Sequence, residues 1–464
     1  MHNIYVKDLL NICKSELIVG DENTLLDEFS IDTRIIKKGE IFVGIKGDSF
    51  DGGTRYIEAL EKGAKGCIIN NTINVDKNVL DKYKNIFIVL VDNTVSSLQE
   101  LAKYKRNLYD IPVIGITGSV GKTSTKDMVA SVLKEKYNVL ATSGNYNNHI
   151  GVPLTILRLR DENCAVIEMG MNNLNEISVL SKIAKPTVSI ITNVGTAHIG
   201  NLGSRENILK AKLEILDGMD ENGLLLINND NDLLHDYYIK NKYKNIITYG
   251  INNKSNYMAN NIEYNKDNSI FKVVLSNNSY DFIINTPGEA FVYNSLAGIA
   301  IGSIFNIDID KIKMGIENYV LTKKRMEIDK IHNITLINDS YNANLDSMNN
   351  AIKYLGLLTG RKIAVLGDML ELGEYTEELH RKVADTIINN KIDIVITIGN
   401  YSKYIEDELN KNNYNNVFSF DNNNDAFNKL KEIIRDYDNI LFKASNSMKL
   451  FDLCNDVKNY LTNK

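Results

Sequence analysis

The chain of 464 residues contains no tryptophan and only four prolines and four cysteines. The cysteines, at positions 13, 67, 164 and 454, form no CxxC pair, which argues against a disulfide framework or a zinc site and favours reduced thiols. No apolar run approaches the roughly 20 residues that a membrane helix needs. The N-terminus also lacks the basic segment and unbroken apolar stretch of a signal peptide. These absences predict a cytoplasmic protein that does not bind membranes.

Clusters of basic residues are missing as well. Lys and Arg total 53 against 59 Asp and Glu, which gives a net charge of −6. Because nucleic-acid binding depends on clustered Lys and Arg that neutralise phosphates, we do not expect a nucleic acid as the main partner. The length predicts about three domains, each large enough for its own core.

The most informative segment that is present is IPVIGITGSVGKTSTK, at 111–126. Its β-branched start predicts a buried strand, and the sequence from Ser124 onward predicts a helix. The loop between them comprises Gly118, Ser119, Val120, Gly121, Lys122, Thr123 and Ser124. Its backbone N–H groups would face phosphates, Lys122 would reach the terminal phosphates, and the Thr123 hydroxyl would bind Mg²⁺. An ordinary strand-to-helix turn that contains GKT by coincidence is the alternative.

This loop differs from the common nucleotide-binding loop in one position. The common form has a glycine five residues before the glycine of GK[ST], and that position is Ile116 here. The remaining pattern, TGxxGKT[ST], is a shorter form. It indicates an ATP-using protein of a class other than those with the common loop.

Strands and helices alternate along the chain, which predicts α/β domains with parallel sheets covered on both faces. We predict a domain at 1–85, a linker at 86–108, a central domain at 109–320 and a third domain at 321–464. The stretch from about 250 to 285 is instead typical of antiparallel, peripheral strands.

Polar side chains follow several central strands. Glu168 ends the strand CAVIE and is placed to hold Mg²⁺, unless it is simply a solvated strand-end residue. His198 lies in a loop of the same sheet, where a structural role is the alternative. Asn145, Asn147 and Asn148 follow another strand, and such amides often only cap turns.

The third block has a similar cluster at two strand ends. Asp339, Tyr341, Asn342 and Asn344 follow one strand, where Asn can read an adenine edge and Asp can bind a ribose hydroxyl. Asp368, Glu371 and Gly373 follow a neighbouring strand.

Together these segments resemble the Mur ligases. SIDTRIIKKGEIFVGIKGDSFDGG, TGSVGKTSTK, GNYNNHIGVPLTIL, EMG, TNVGTAHIGNLGS with AKLEIL, RMEI, NDSYNAN and GDMLELG fall in family order over essentially the whole chain. The resemblance implies a small N-terminal uridine-nucleotide α/β domain, a central P-loop ATPase domain with a parallel sheet, and a C-terminal Rossmann-like α/β domain. The YNAN and GDMxELG pair is similar to the member that adds D-alanyl-D-alanine.

The resemblance also implies a reaction. ATP, with Mg²⁺, would phosphorylate the terminal carboxylate of UDP-MurNAc-tripeptide, and the amine of D-alanyl-D-alanine would then attack the acyl phosphate. We expect a monomer. The implied catalytic residues are Lys122, Glu168, His198, Lys212 and Arg325. The implied substrate-binding residues are Ser30, Thr33, Arg34, Lys46, Gly47, Asn145, Asn147, Asn148 and Asp368.

Two of these lysines have open alternatives. Lys212 occupies the AKxE position where several Mur ligases carry a carbamylated lysine, which would supply an anionic ligand for Mg²⁺ beside His198 and Glu168. An ammonium that neutralises the acyl phosphate, or a surface lysine paired with a glutamate, would fit the same sequence. Lys46 could similarly be a solvated strand-end charge.

The chain departs from the family pattern at three places. Residue 345 is Leu where the family usually has Pro, and Lys324 replaces the usual Gly before Arg325. A typical KGSR becomes the sequence KASN at 443–446, which removes a cation and a glycine where the dipeptide or acyl phosphate would be handled.

Three other functions compete with this interpretation. A folylpolyglutamate synthase would lack the uridine-domain segment around GEIFVGIKG. A P-loop switch or motor would need no amine acceptor. A non-catalytic uridine-sugar-binding protein would not need an intact phosphate loop.

Overall fold

The structure is a computed structural model that describes residues 2–47, 49–241, 245–265 and 267–463. These residues form three sheets, of five, nine and six strands, each packed with helices. The predicted α/β architecture is therefore confirmed. Among the described residues, no helix combines the length and the apolarity needed to cross a lipid bilayer.

The first sheet has the strand order β1-β5-β4-β3-β2, and only β1 runs antiparallel to its neighbour. The strands are β1 (Ser15–Val19), β2 (Phe29–Ser30), β3 (Ile41–Val43), β4 (Gly66–Asn70) and β5 (Phe87–Val91). The helices are α1 (Val6–Ile12), α2 (Tyr56–Glu61), α3 (Lys77–Lys82) and α4 (Thr94–Asn107), with a 3₁₀ turn at Gly52–Arg55.

The predicted linker at 86–108 is not a linker in the structure. Strand β5 lies inside the first sheet, between β1 and β4, and its residues are almost completely buried. Helix α4 follows directly, capped by the Asn93 side chain, and buries Leu98, Leu101 and Ala102 along one face. A domain that ended at residue 85 would lack a strand from the middle of its sheet.

The central sheet has the order β14-β13-β12-β11-β10-β9-β6-β8-β7. Its strands are β6 (Val113–Thr117), β7 (Val139–Ala141), β8 (Cys164–Glu168), β9 (Val188–Ile191), β10 (Leu224–Asn228), β11 (Ile246–Gly250), β12 (Tyr257–Tyr264), β13 (Ser269–Leu275) and β14 (Asn278–Ile284). Strands β6, β8 and β9 are buried along their whole length, as expected for parallel strands covered on both faces. Strands β12 to β14 pair antiparallel at one edge, as predicted.

Eight α-helices accompany the described part of this sheet. They are α5 (Lys122–Lys134), α6 (Gly151–Leu157), α7 (Glu176–Ala184), α8 (Ile199–Leu202), α9 (Arg205–Leu213), α10 (Asp232–Lys240), α11 (Glu289–Ile304) and α12 (Ile309–Glu317), with a 3₁₀ turn at Glu214–Gly218. Helix α11 is apolar on nearly all sides and packs against α5, the helix that follows the phosphate loop. The helix that begins at the phosphate loop is therefore packed against a buried apolar helix.

The third sheet has the order β15-β16-β20-β17-β18-β19, with only β15 antiparallel. Its strands are β15 (Glu327–Ile331), β16 (Ile334–Asn338), β17 (Arg361–Gly367), β18 (Ile394–Ile398), β19 (Val417–Phe420) and β20 (Asp438–Lys443). Its helices are α13 (Leu345–Leu357), α14 (Thr376–Asn389), α15 (Lys403–Lys411), α16 (Asn423–Ile433) and α17 (Leu450–Thr462), with 3₁₀ turns at Gly373–Tyr375 and Asn446–Met448. Loops after β16 and β17 touch loops after β9, so the carboxyl ends of two sheets meet at one cleft.

Candidate active site

The phosphate loop joins β6 to α5 and depends on two glycines. Gly121 begins the helix with a φ of 81°, a left-handed conformation that glycine adopts without a side-chain clash. At Gly118 a Cβ atom would lie 1.8 Å from Thr192 Oγ1. No side chain caps the N-terminus of α5, so its first N–H groups remain available for an anion. The Lys122 ammonium folds back and donates to the Gly118 carbonyl at 2.8 Å.

The segment that follows β9 braces this loop. The Asn193 side chain accepts from Val120 N–H at 2.9 Å and donates to the Val120 carbonyl at 2.9 Å. Thr192 Oγ1 donates to the same carbonyl, and Gly195 N–H donates to Ser119 Oγ at 2.9 Å. In this docked arrangement of the domains, these bonds hold the loop in shape without a ligand.

Glu168 lies at the end of β8 with 1% of its surface exposed. Asn147 Nδ2 donates to its Oε1 at 2.7 Å, while its Oε2 is buried without a hydrogen-bond partner. A buried carboxylate oxygen without a partner is costly unless a cation meets it. With the buried Thr123 hydroxyl, this oxygen suits Mg²⁺, which takes one or two protein oxygens together with phosphate and water.

The donor set is too small for a cation held by protein alone. Within the described ranges, no three His, Cys, Asp or Glu side chains converge as a metal cluster. The site therefore fits a Mg²⁺ ion shared with bound phosphates.

Two lysines share this region. Burial lowers the pKa of Lys122, and the charge of Arg325 lowers it further, whereas Glu168 raises it. Lys212 on α9 is 1% exposed, and its amine makes no hydrogen bond or ion pair with any described residue. Burial, together with the positive charge of Lys122, lowers the pKa of Lys212 well below its usual value. Lys212 is therefore not a surface lysine paired with a glutamate.

His198 contacts the third domain, and Arg325 lines the cavity between the two domains. His198 Nδ1 lies 2.8 Å from Glu371 Oε2 of the third domain, and this imidazole lowers the pKa of Glu371. The Arg325 guanidinium stacks 4.1 Å from the centre of the Tyr341 ring, and its Nε is buried without a partner. Arg325 lines the same cavity as Val120, Gly121 and Ser124 of the phosphate loop.

A cavity of about 530 Å³ lies between the central and third domains. Its volume falls in the range of small-molecule and cofactor sites. Val120, Gly121 and Ser124 of the phosphate loop line it. Its other polar side chains include Asn193, Asn294, Arg325, Asp339, Tyr341, Asn342 and Lys443. The aromatic lining comprises Tyr249, Tyr264, Phe291, Tyr293 and Tyr354. A phosphate cradle at one end and aromatic walls elsewhere would suit a nucleotide.

Known proteins share this arrangement. Models of the Mur ligase middle domain and of the Mur ligase glutamate ligase domain match residues 116–302 and 324–446. The chain is also 36% identical over 458 residues to the UDP-N-acetylmuramoyl-tripeptide–D-alanyl-D-alanine ligase of Bacillus subtilis, covering 97% of this chain and 98% of the relative. The chain belongs to the Mur ligase family.

Other Mur ligases agree with this assignment. The ligase of the same description from Escherichia coli is 33% identical, covering 87% of this chain and 88% of the relative. The fold matches MurF from Acinetobacter baumannii with a TM-score of 0.89, at 26% identity and full coverage of both chains. It matches MurF from Thermotoga maritima in complex with ADP with a TM-score of 0.81, at 26% identity, covering 94% and 98% of the two chains.

In this Mur ligase, several residues of the third domain are used differently from the prediction. The Asp339 carboxylate faces the cavity but accepts from Lys443 Nζ at 2.5 Å and from Met326 N–H at 3.1 Å. Asn342 borders the cavity, whereas Asn344 does not. The Asn344 side chain instead caps α13 by accepting from Ser347 N–H at 2.9 Å.

Asp368, which was predicted to bind substrate, holds a turn of the third domain in the structure. The carboxylate is buried and accepts from the N–H groups of Asn400, Tyr401 and Ser402, at 2.7 to 3.1 Å. These bonds hold the turn that leads into α15. The replaced KGSR segment has a similar structural use, since Ser445 Oγ accepts from Leu370 N–H at 2.9 Å.

Of the predicted uridine residues, Arg34, Lys46 and Gly47 are exposed, whereas Ser30 is half-buried and Thr33 is buried. Arg34 is 84% exposed and forms an ion pair with Asp32 at 2.7 Å, which lowers the pKa of Asp32 to about 2. Ser30 and Thr33 flank this pair, and the Thr33 carbonyl accepts from Lys62 Nζ at 2.7 Å. Lys46 and Gly47 are exposed in a turn closed by Gly47 N–H donating to the Phe50 carbonyl.

The asparagine cluster after β7 divides into three roles. Asn147 holds Glu168, as described above. Asn148 Oδ1 accepts from the N–H groups of Ile150 and Gly151 at the start of α6, which is a capping role. Asn145 is exposed, and its carbonyl accepts from Asn147 N–H at 2.7 Å.

Sequence reasoning missed three residues of the site. Asn193 braces the phosphate loop, Asn294 accepts from Thr125 Oγ1 at 2.9 Å beside the cavity, and Asp346 bonds to the central domain. Asn294 carried a usable signal, because a lone amide in the apolar helix α11 needs a partner. Asp346 carried none, since its partner Thr196 is 150 residues away in sequence.

Proposed function

We propose that this Mur ligase joins D-alanyl-D-alanine to UDP-N-acetylmuramoyl-tripeptide and cleaves ATP to ADP and phosphate in doing so. This would be the last cytoplasmic step in making the peptidoglycan precursor, carried out by a monomer. The single observation that carries the proposal is the phosphate loop facing Arg325 across the interdomain cavity, with Glu168 and Lys212 buried behind it. The description of the Bacillus subtilis and Escherichia coli relatives supports the substrates, and the ADP complex of Thermotoga maritima MurF supports the nucleotide.

The first chemical step is phosphoryl transfer. An oxygen of the tripeptide carboxylate attacks the γ-phosphorus of ATP, the bond to the β-phosphate oxygen breaks, and ADP leaves. Lys122 and the N–H groups at the start of α5 bind phosphate oxygens, while Arg325 approaches from the third domain. Mg²⁺ held by Glu168 and Thr123 would neutralise negative charge on the phosphates.

The second step is amide formation. The dipeptide amine attacks the carbonyl carbon of the acyl phosphate and loses a proton, and inorganic phosphate leaves as the tetrahedral intermediate collapses. Water would hydrolyse the same acyl phosphate, so contact between the central and third domains protects it. The charge of Lys122 helps to lower the pKa of the buried Lys212, and we propose that Lys212 serves the group that becomes negatively charged.

Burial of Lys212 favours its neutral amine, because it lowers the pKa of the amine. The neutral amine is the form that adds CO₂. A carbamate there would give the buried site a second anionic oxygen ligand beside Glu168. Lys212→Ala should lose activity and regain part of it with added short carboxylates. Absence of both rescue and extra electron density on the Lys212 amine, in crystals grown at high bicarbonate, would leave only the unmodified amine.

The overall function is tested by measuring release of ADP and phosphate with each substrate omitted in turn. Release should require both UDP-MurNAc-tripeptide and D-alanyl-D-alanine, and mass spectrometry should show the pentapeptide product. Parallel reactions with the diaminopimelate and lysine tripeptides would identify the third residue. Rapid release without the dipeptide would instead identify a P-loop switch or motor.

Lys122→Ala is the variant that tests the role of the phosphate loop in this reaction. It should abolish product formation and leave binding of the uridine substrate to the first domain intact. Lys134→Ala, on the exposed last turn of the same helix, is the control and should keep normal activity. Near-normal activity in Lys122→Ala would remove the phosphate loop from the mechanism.

A further inference from the structure

One short segment touches both the phosphate loop and the third domain. Residues 192–196 follow β9, and their bonds to Ser119 and Val120 fix the loop. On the other side, the Asp346 carboxylate accepts from Thr196 N–H at 2.9 Å and from Thr196 Oγ1 at 3.2 Å. Hydrogen bonds on the two sides of this segment therefore connect the third domain to the phosphate loop.

The approach of Asp346 is close and depends on a glycine. A Cβ atom at Gly195 would lie 2.1 Å from Asp346 Oδ2. Gly195 is also the residue whose N–H donates to Ser119 Oγ. Because Gly195 has no side chain, the Asp346 carboxylate can approach it from one side. On the other side, the Gly195 N–H group holds Ser119 of the phosphate loop.

Both partners are rigidly mounted. Asp346 lies in the first turn of α13, whose start is fixed by the reciprocal bonds of Asn344 and Ser347. On the central side, Arg205 donates to the Val194 carbonyl at 2.7 Å and pairs with Asp232 at 2.6 Å. The pKa of Arg205 is raised mainly by its hydrogen bond to Asp232, and the charge of Asp346 contributes to the rise. Neither side can shift without breaking these bonds.

A second contact involves the same stretch of the central domain. Gly200 N–H donates to the Glu371 carbonyl at 3.2 Å, and Tyr375 Oη donates to the Gly203 carbonyl at 2.6 Å. These contacts dock the third domain but reach no residue of the phosphate loop directly. Asp346 is distinguished by its link to Ser119 through Thr196 and Gly195.

We infer that Asp346 is a positioning residue that transmits docking of the third domain to the phosphate loop through Thr196, Gly195 and Ser119. When the domains dock, its carboxylate fixes the Gly195–Thr196 segment, and this fixes Ser119 and Val120 in the shape that holds phosphate. When the domains separate, the segment loses its outer support. The loop would then be fully ordered only when Arg325 also faces it.

The test combines amide hydrogen exchange with kinetics. In Asp346→Ala, the N–H groups of Ser119, Val120 and Gly195 should exchange faster than in the unmodified protein, because their acceptors are less fixed. The kcat should fall by about 10- to 100-fold, as expected when reacting groups lose their alignment. The KM values for the dipeptide and the uridine substrate should change little. The kcat and KM measurements rest on the proposed function, whereas the hydrogen-exchange measurement requires no activity.

Two further variants separate positioning from stability. Asp452→Ala removes an exposed first-turn aspartate from α17, another 13-residue helix of the third domain, and controls for the helix dipole. Thr196→Val removes the hydroxyl from the central side and should accelerate exchange at the loop to a smaller extent. It also tests the link if Asp346→Ala does not fold. Unchanged exchange at 118–121 in Asp346→Ala and Thr196→Val, or an equal change in Asp452→Ala, would overturn the inference.

Discussion

The phosphate loop and the 30–51 region of the first domain are both predicted anion sites, but they are built in opposite ways. The phosphate loop is buried and braced, and its binding groups are mainly backbone N–H groups at a helix start. The 30–51 region offers the exposed side chains of Arg34 and Lys46, and Arg34 forms an ion pair with Asp32. The first site is shaped before the ligand arrives, whereas the second would gain order from the ligand.

This contrast explains where mutations should be costly. A braced backbone site fails when its shape changes, because many bonds depend on each residue. An exposed side-chain site loses one contact at a time, and the fold is unaffected. Four predictions test this difference, from the largest expected effect to the smallest.

Gly118→Ala should be the most damaging change. The new Cβ would meet Thr192 Oγ1 at 1.8 Å, so the loop or the brace must move. We expect activity to fall on the order of 100- to 1,000-fold. The free energy of unfolding should fall by about 1–3 kcal/mol through overpacking.

Gly39→Ala is the control, since Gly39 has a φ of 89° but no atom lies within 4 Å of the place that its Cβ would occupy. Backbone strain there should cost about 1–2 kcal/mol and leave activity intact. Equal activity losses in both variants would contradict the bracing argument.

Lys212→Met should lower activity about 100-fold while raising stability at neutral pH. Because the pKa of Lys212 is lower in the folded protein, the unfolded chain binds more protons between the folded and unfolded pKa values. The stability of the unmodified protein should therefore rise with pH through that window, and burial of the ammonium is most costly below it. The melting temperature of Lys212→Met should exceed that of the unmodified protein at low pH and converge with it at high pH, in bicarbonate-free buffer. A difference that does not vary with pH would argue against a buried, titrating amine.

Arg34→Ala tests the exposed site. The KM for the uridine substrate should rise about tenfold through loss of a charged hydrogen bond. The melting temperature should stay unchanged, because an exposed ion pair adds little to stability. Lys14→Ala, with a side chain 90% exposed at the opposite edge of the sheet, should change neither quantity. A clear drop in melting temperature for Arg34→Ala would show that the fold depends on the 30–51 region as it does on the phosphate loop.

Asn344→Ala should have the smallest effect. Loss of the cap on α13 should cost about 1 kcal/mol in the free energy of unfolding, with the KM for ATP nearly unchanged. Asn342→Ala, whose side chain borders the cavity, should show the reverse pattern. A raised KM for ATP in Asn344→Ala alone would restore the original interpretation of this residue.

The parts predictable from sequence were those set by local pattern. The strand, glycine loop and helix at 111–134 follow from neighbouring residues, and so does the antiparallel edge at 257–284. Strand β5 was misassigned to a linker because a short apolar run does not reveal its partners, which lie far away in sequence.

Polar residues at strand ends were the less reliable part of the site. Glu168 keeps one buried carboxylate oxygen without a hydrogen-bond partner, but Asp368 and Asn344 accept from backbone N–H groups. Both uses need the same residue types at the same kind of position, because a turn leaves N–H groups that require acceptors. Only the three-dimensional arrangement separates a ligand-facing carboxylate from one that holds a turn.

The place of β5 in the first sheet also bears on how the chain folds as it is made. Strand β1 has β5 as its one neighbour in that sheet, and Ser15 pairs with Val91, some 76 residues later. At the usual rate of synthesis this partner follows roughly 4 to 15 s after β1. During that interval β2, β3 and β4 are able to pair, while β1 has no partner yet. Completion of the first sheet coincides with synthesis of α4, directly before the phosphate loop emerges.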